Sequence, residues 1–149
     1  MQHNTKLIGN ITEIQVQLEA TKLGIQVSIP YGDHARYDQI WDVNGKLLKI
    51  QIKKCNLKNG CIEINCKSST RKCGEIVNKR YTKEEIDYLV TYYNDKCYII
   101  PVEQLPSRVK TLRLEKPNNN QQIGISYAED YELSKFIENN ASLVQGLEQ

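Results

Sequence analysis

The stretch RYDQIWDVNGKLLKIQIKK, residues 36–54, decides the fold. Asn44-Gly45 separates two alternating apolar and polar runs, and an Asn-Gly pair supplies the two positive-φ residues that a two-residue hairpin turn needs. The reading is an antiparallel hairpin with Val43 opposite Lys46, which carries Asp38 opposite Gln51 further along the ladder. Side chains alternate along a strand, so Lys53 joins Gln51 on one face. The other face gathers Tyr37, Trp41, Val43, Leu48, Ile50 and Ile52, an apolar surface ready to pack on a helix. The polar face holds an acid, an amide and an amine. A hard cation such as Mg²⁺ takes oxygen ligands, which the Asp38 carboxylate, the Gln51 amide and the Ile52 carbonyl can supply. Such an ion activates a water and clamps phosphate oxygens, while Lys53 orients the nucleophile or neutralises developing charge. An amphipathic hairpin with a polar outer face explains the same residues, and from these residues alone the two readings weigh evenly.

Working outward, TKLIGNITEIQVQLEATKLG (5–24) repeats Leu7, Ile11, Ile14 and Leu18 at helical spacing, with Thr5 as cap and Gly24 as stop. GIQVSIP (24–30) alternates as a strand ended by proline. YTKEEIDYLVTYYN (81–94) predicts a helix, with Thr82 as cap, Glu85 in the capping-box position and Ile86, Leu89, Val90 and Tyr93 on a stripe. Tyr88, Tyr92 and Tyr93 there belong to core or interface. KCYIIPVEQL (96–105) is a short strand. The segment from 109 to 140 reads as strand, amide-rich loop and amphipathic helix carrying Tyr131, Leu133 and Ile137.

At 149 residues and 40% hydrophobic, the chain fits one domain over 1–149 with one core. No apolar run is long enough to span a membrane and MQHNTK is too polar to open a signal peptide, which places the protein inside the cell, in the cytoplasm, with no membrane partner. Five cysteines without a C-x-x-C pair, and two histidines that complete no zinc pattern, read as reduced, half-buried thiols. His34 reads as an exposed loop residue. The net charge is only +2, yet residues 46–83 hold eleven basic residues against two acidic ones, +9, leaving −7 elsewhere. A one-signed excess of this kind points to an anionic partner, nucleic acid first. The polar segment CNLKNGCIEINCKSSTRKCGEIVNKR (55–80) reads as irregular and outside the core. Its Lys58, Lys67, Arg71, Lys72, Lys79 and Arg80, with Lys54 just before it, are the expected DNA contacts.

These pieces together resemble the PD-(D/E)XK nuclease superfamily, in its group I intron-encoded homing endonuclease branch of the cyanobacterial transfer-RNA intron type. GNITEIQVQLEATKLGIQV resembles the opening helix with its glutamate, RYDQIWDVNGKLLKIQIKK the metal hairpin, and YTKEEIDYLVTYYNDKCYIIPVEQL the following helix and strand. LRLEKPNNNQQ and AEDYEL add to the likeness, which covers most of the chain. The resemblance implies an α/β, restriction-endonuclease-like mixed sheet flanked by helices. It implies a catalytic set of Glu13, Asp38, Gln51 and Lys53, with Glu13, Asp38, Gln51 and the Ile52 carbonyl around Mg²⁺ or another divalent cation. It departs from the general pattern at Gln51, where most superfamily nucleases have an acid; one negative charge fewer weakens the hold on the ion. The expected activity is site-specific cleavage of both strands of double-stranded DNA for intron homing, by a homo-oligomer, dimer or tetramer. The C-terminal helix offers Tyr131, Leu133, Phe136 and Ile137 either to a subunit interface or to packing on its own domain, and the two readings weigh equally. A junction-resolving or repair nuclease and a silent DNA-binding module are the alternatives. The residues of His-Asn-His, LAGLIDADG and GIY-YIG nucleases are missing.

Overall fold

The computed structural model describes residues 4–115 and 124–147, without the side chains of 142–147. The amide-rich loop at 116–123 lies outside the described residues.

Helix α1 (Thr5–Lys22) is capped by Asn4, whose side chain accepts from the Lys6 N–H at 3.0 Å, and not by Thr5 as the sequence suggested. It leads to strands β1 (Gln26–Ser28), β2 (Gln39–Val43) and β3 (Lys46–Ile52). Asn44 and Gly45 take φ of 54° and 85°, so the expected turn forms and Val43 pairs with Lys46. The chain then leaves this sheet for β4 (Cys55–Lys58), β5 (Cys61–Asn65), β6 (Lys67–Lys72) and β7 (Glu75–Arg80). It returns as β8 (Tyr88–Tyr93) and β9 (Lys96–Pro101), and ends with β10 (Val109–Arg113) and α2 (Leu133–Leu147).

The main sheet runs β1-β2-β3-β8-β9, antiparallel throughout except for the parallel pair β3 and β8. It is the mixed sheet expected. A second sheet, β10-β5-β4, and a free-standing ribbon, β6-β7, complete the strands. Alternation along β8 and β9 builds both cores. Val90, Cys97 and Ile99 point to the side of α1, where they meet Val16, Ala20, Trp41, Leu48 and Ile50. Leu89, Tyr98 and Ile100 point the other way, onto Ile62, Ile64 and Leu112 of the second sheet.

Three expectations are corrected. Residues 81–94 are not a helix: the Thr82–Glu85 box closes a single turn, with Glu85 and Ile86 N–H bonding the Thr82 carbonyl, and Tyr88–Tyr93 is then a strand. A run of aromatic and β-branched residues buried on two faces favours the strand, and its parallel pairing with β3 overrides the helical spacing. The segment 55–80 is not all irregular surface, because Ile62, Ile64 and Cys66 are fully buried. Finally, the single core expected is two clusters, one on each face of the main sheet. Helix α1, on whose buried face the spacing was silent, buries Thr12, Val16 and Ala20, while Leu7, Ile11, Ile14 and Leu18 are 46–65% exposed. Small residues allow the helix to lie close on the sheet, which turns the larger stripe outward.

Candidate active site

Asp38 sits immediately before β2, one step beyond the last ladder pair, Gln39 with Ile50. Its N–H donates to the Ile50 carbonyl at 2.8 Å, and its Oδ2 accepts from the Ile52 N–H at 2.8 Å. The carboxylate is thereby locked against the C-terminal end of β3, beside the Ile52 peptide. Gln51 is half-buried on the face of β3 opposite Ile50 and Ile52; among the described residues no hydrogen bond joins its amide to Asp38. Lys53 follows directly. Its N–H donates to the Val90 carbonyl at 3.1 Å, and its Nζ donates to the Lys67 carbonyl at 3.3 Å and lies 5.8 Å from the Tyr81 ring centre.

Glu13 reaches this group from α1. Gln39, buried on the apolar face of the hairpin, donates from Nε2 to the Glu13 carbonyl at 3.0 Å and accepts from the Trp41 indole N–H at 3.0 Å. An amide so placed pins the turn of α1 that carries Glu13 to the strand that carries Asp38. Sequence reading missed Gln39; its signal was an amide in register with Tyr37 and Trp41 on an otherwise apolar face.

Electrostatics couple the three charges. Burial raises the Asp38 carboxyl above its ordinary value, against the pull of the Ile52 N–H and the Lys53 ammonium. Burial, then the Asp38 charge, raises Glu13. Burial lowers Lys53, Asp38 works to restore it, and the Arg36 guanidinium lowers it further. Two half-buried carboxylates that repel one another, with the Ile52 peptide beside Asp38, are oxygen donors of the kind that a hard divalent cation suits. Among the described residues no group of three or more His, Cys, Asp and Glu could hold a metal ion, so any cation here depends on the Gln51 and carbonyl oxygens as well.

Arg36, also missed, ties the ribbon to the site. It donates to Glu85 at 2.9 Å and to the Ser68 hydroxyl, and Lys79 lies 3.7 Å from the same carboxylate. Of the expected DNA contacts, Lys67, Arg71, Lys72, Lys79 and Arg80 are all on the ribbon, whose root begins at the Lys53 ammonium. Lys54 is exposed just after the site, and Lys58 is exposed at the end of β4 in the other sheet. His34 is on an exposed loop, as expected.

A mixed sheet whose hairpin presents an acid and a lysine at one strand end, with a helix delivering a second acid, defines the class of restriction-endonuclease-like nucleases. The profile of the PD-(D/E)XK endonucleases matches residues 3–134, and the chain belongs to that family of DNA-cleaving hydrolases. Among solved structures it is similar to a bacterial homing endonuclease, I-Ssp6803I, with a TM-score of 0.72 and 24% identity over 97% of this chain and 99% of that one. No curated protein matches it.

Proposed function

We propose that the protein is a site-specific DNA endonuclease that uses Mg²⁺, or another divalent cation in its place, to cut both strands of double-stranded DNA for intron homing. The observation that carries the chemistry is the Asp38 carboxylate fixed at 2.8 Å on the Ile52 N–H with Lys53 next in the chain. Homing rests on the likeness to I-Ssp6803I. In this reading Asp38, Glu13, the Gln51 amide and the Ile52 carbonyl hold the cation, which supplies Lewis acidity to a phosphate oxygen. Lys53, held by the Lys67 carbonyl, steadies the attacking water or the charge growing on the phosphate. The ribbon lysines and Arg80 hold the DNA backbone. The work is done inside the cell, where the DNA is, and the chain acts as one domain.

One such site per chain cuts one strand per docking, so a break in both strands calls for two copies, as a dimer or within a tetramer. The C-terminal helix is not the face we assign to them: Leu133 is buried, Phe136 and Ile137 pack on the α1-side core, and Tyr88 meets Phe136 edge-on at 5.1 Å. The face left open is α1. Leu7, Ile11, Ile14 and Leu18 step by four, three and four, the spacing of a coiled-coil seam. Its flanks, Ile8, Asn10, Gln15 and Gln17, carry no charge to repel an identical helix. No helix among the described residues is long and apolar enough to cross a membrane.

The test is incubation with a plasmid or genomic DNA library in Mg²⁺ and in EDTA, followed by sequencing of the ends. Ends that share a sequence and appear only with Mg²⁺ support the reading; intact DNA in both overturns it.

A further inference from the structure

Among the described residues the ribbon β6–β7 has no other strand beside it, and every residue of β7 is exposed. An isolated two-stranded ribbon is marginal by itself, so its upkeep by contacts at one end calls for a use at the other. Those contacts also tell its faces apart. Ser68 is buried and takes the Arg36 hydrogen bond, and its cross-strand partner Lys79 approaches Glu85. That face turns to the body. Alternation sends Ser69, Arg71, Ile76 and Asn78 to the opposite face, with Lys67 and Arg80 paired at the root.

We propose, building on the DNA-cleaving reading above, that this outer face enters the major groove and reads base edges beside the cut. A two-stranded ribbon fits the major groove of B-form DNA, which is about 12 Å wide. The four outer residues match base-edge chemistry: an arginine for guanine, an asparagine for adenine, a hydroxyl for either, and an exposed isoleucine for the thymine methyl. Ile76 is 66% exposed and serves no core. The Ser69 hydroxyl donates to the Asn78 Oδ1 at 2.7 Å, fixing the amide and leaving its N–H groups directed elsewhere. The root supplies the scale. Lys53 holds the Lys67 carbonyl, and each strand residue advances about 3.3 Å, close to the rise of about 3.4 Å per base along a DNA strand. The Ser69–Asn78 pair therefore falls about two base pairs from the phosphate at Lys53, and the Arg71–Ile76 pair about four.

The experiment selects binders from a randomised DNA duplex library in EDTA, and separately cuts the same library in Mg²⁺, with the wild type, Asn78→Ala and Arg71→Ala. The expected result is a sequence preference in the wild type that loses about tenfold or more discrimination at one position in each variant. In the cutting arm those positions lie about two and about four base pairs from the cut, respectively. A wild type that binds without sequence preference, or variants that weaken binding while the preferred sequence stays unchanged, would overturn the inference. Selective binding that the variants alter, without any cutting in Mg²⁺, would leave the ribbon standing and remove the nuclease reading instead.

Discussion

Gln39 illustrates how one buried amide serves both stability and chemistry. Its two hydrogen bonds satisfy the Trp41 indole and the Glu13 carbonyl. Gln39→Leu keeps the volume but leaves the buried Trp41 indole N–H without its partner, a cost of about 1–3 kcal/mol, while the Glu13 carbonyl keeps only the acceptor role of its own helix. It also frees the turn of α1 bearing Glu13, so the variant should melt lower and cut more slowly while binding DNA nearly as well; a variant that melts lower but cuts at the wild-type rate would show the tie to be structural only. Lys53→Ala should act differently. One phosphate-side cation among many contributes little to affinity, so rate should fall far more than binding, and a pure affinity defect in a gel-shift and cleavage comparison would contradict the assigned role. The places of Asp38, Gln51 and Lys53 along the hairpin were legible because Asn44-Gly45 fixes its register. Arg36 and Gln39 were not, since their partners Glu85, Ser68 and Glu13 lie 26 to 49 residues away in the chain.

At the scale of elements, the ribbon's anchor titrates. Burial works to raise Glu85, but the Thr82 N–H, Arg36, the Thr82 hydroxyl and Lys79 outweigh it and hold the carboxyl below 4.5. A carboxylate with a depressed folded value adds stability that is present in full above its ordinary value and is lost as pH falls through the folded one. Acidification below 4.5 should therefore loosen the ribbon, and Glu85→Gln should loosen it already at neutral pH. Amide exchange across residues 67–80 measures this directly: faster exchange there, with β8 and β9 still protected, is expected, whereas equal protection in wild type and variant would mean that Arg36 and Lys79 do not hold the ribbon. The same region marks where element reading failed. Thr82 and Glu85 form the capping box seen in the sequence, but one turn later Tyr88–Tyr93 enters the centre of the sheet. Helical and buried-strand patterns coincide in a short apolar run, and the long-range pairing to β3 that decides between them is invisible locally. On α1 the spacing identified a helix correctly but suggested no distinction between the face for the sheet and the face left outside.

For the whole molecule, the exposed seam on α1 and the single catalytic cluster lead to one expectation about assembly. Ile14, 65% exposed, contributes little to its own domain, so Ile14→Glu should leave the fold intact while placing a buried charge in any α1 pairing. Sedimentation should give an oligomer for the wild type and a smaller species for the variant. A wild type that remains monomeric, even on DNA it cuts in both strands, would rule the two-copy arrangement out.

The central claim is that Asp38 holds a cation for phosphodiester cleavage, and Asp38→Asn tests it most directly. The substitution keeps the shape of the side chain and an oxygen for the Ile52 N–H, yet removes the negative charge. Cleavage of the plasmid or genomic library in Mg²⁺ and binding in EDTA should be measured side by side for both proteins. The account predicts that the wild type cuts, that Asp38→Asn does not, and that the two bind DNA about equally. Cutting by Asp38→Asn at the wild-type rate would contradict it.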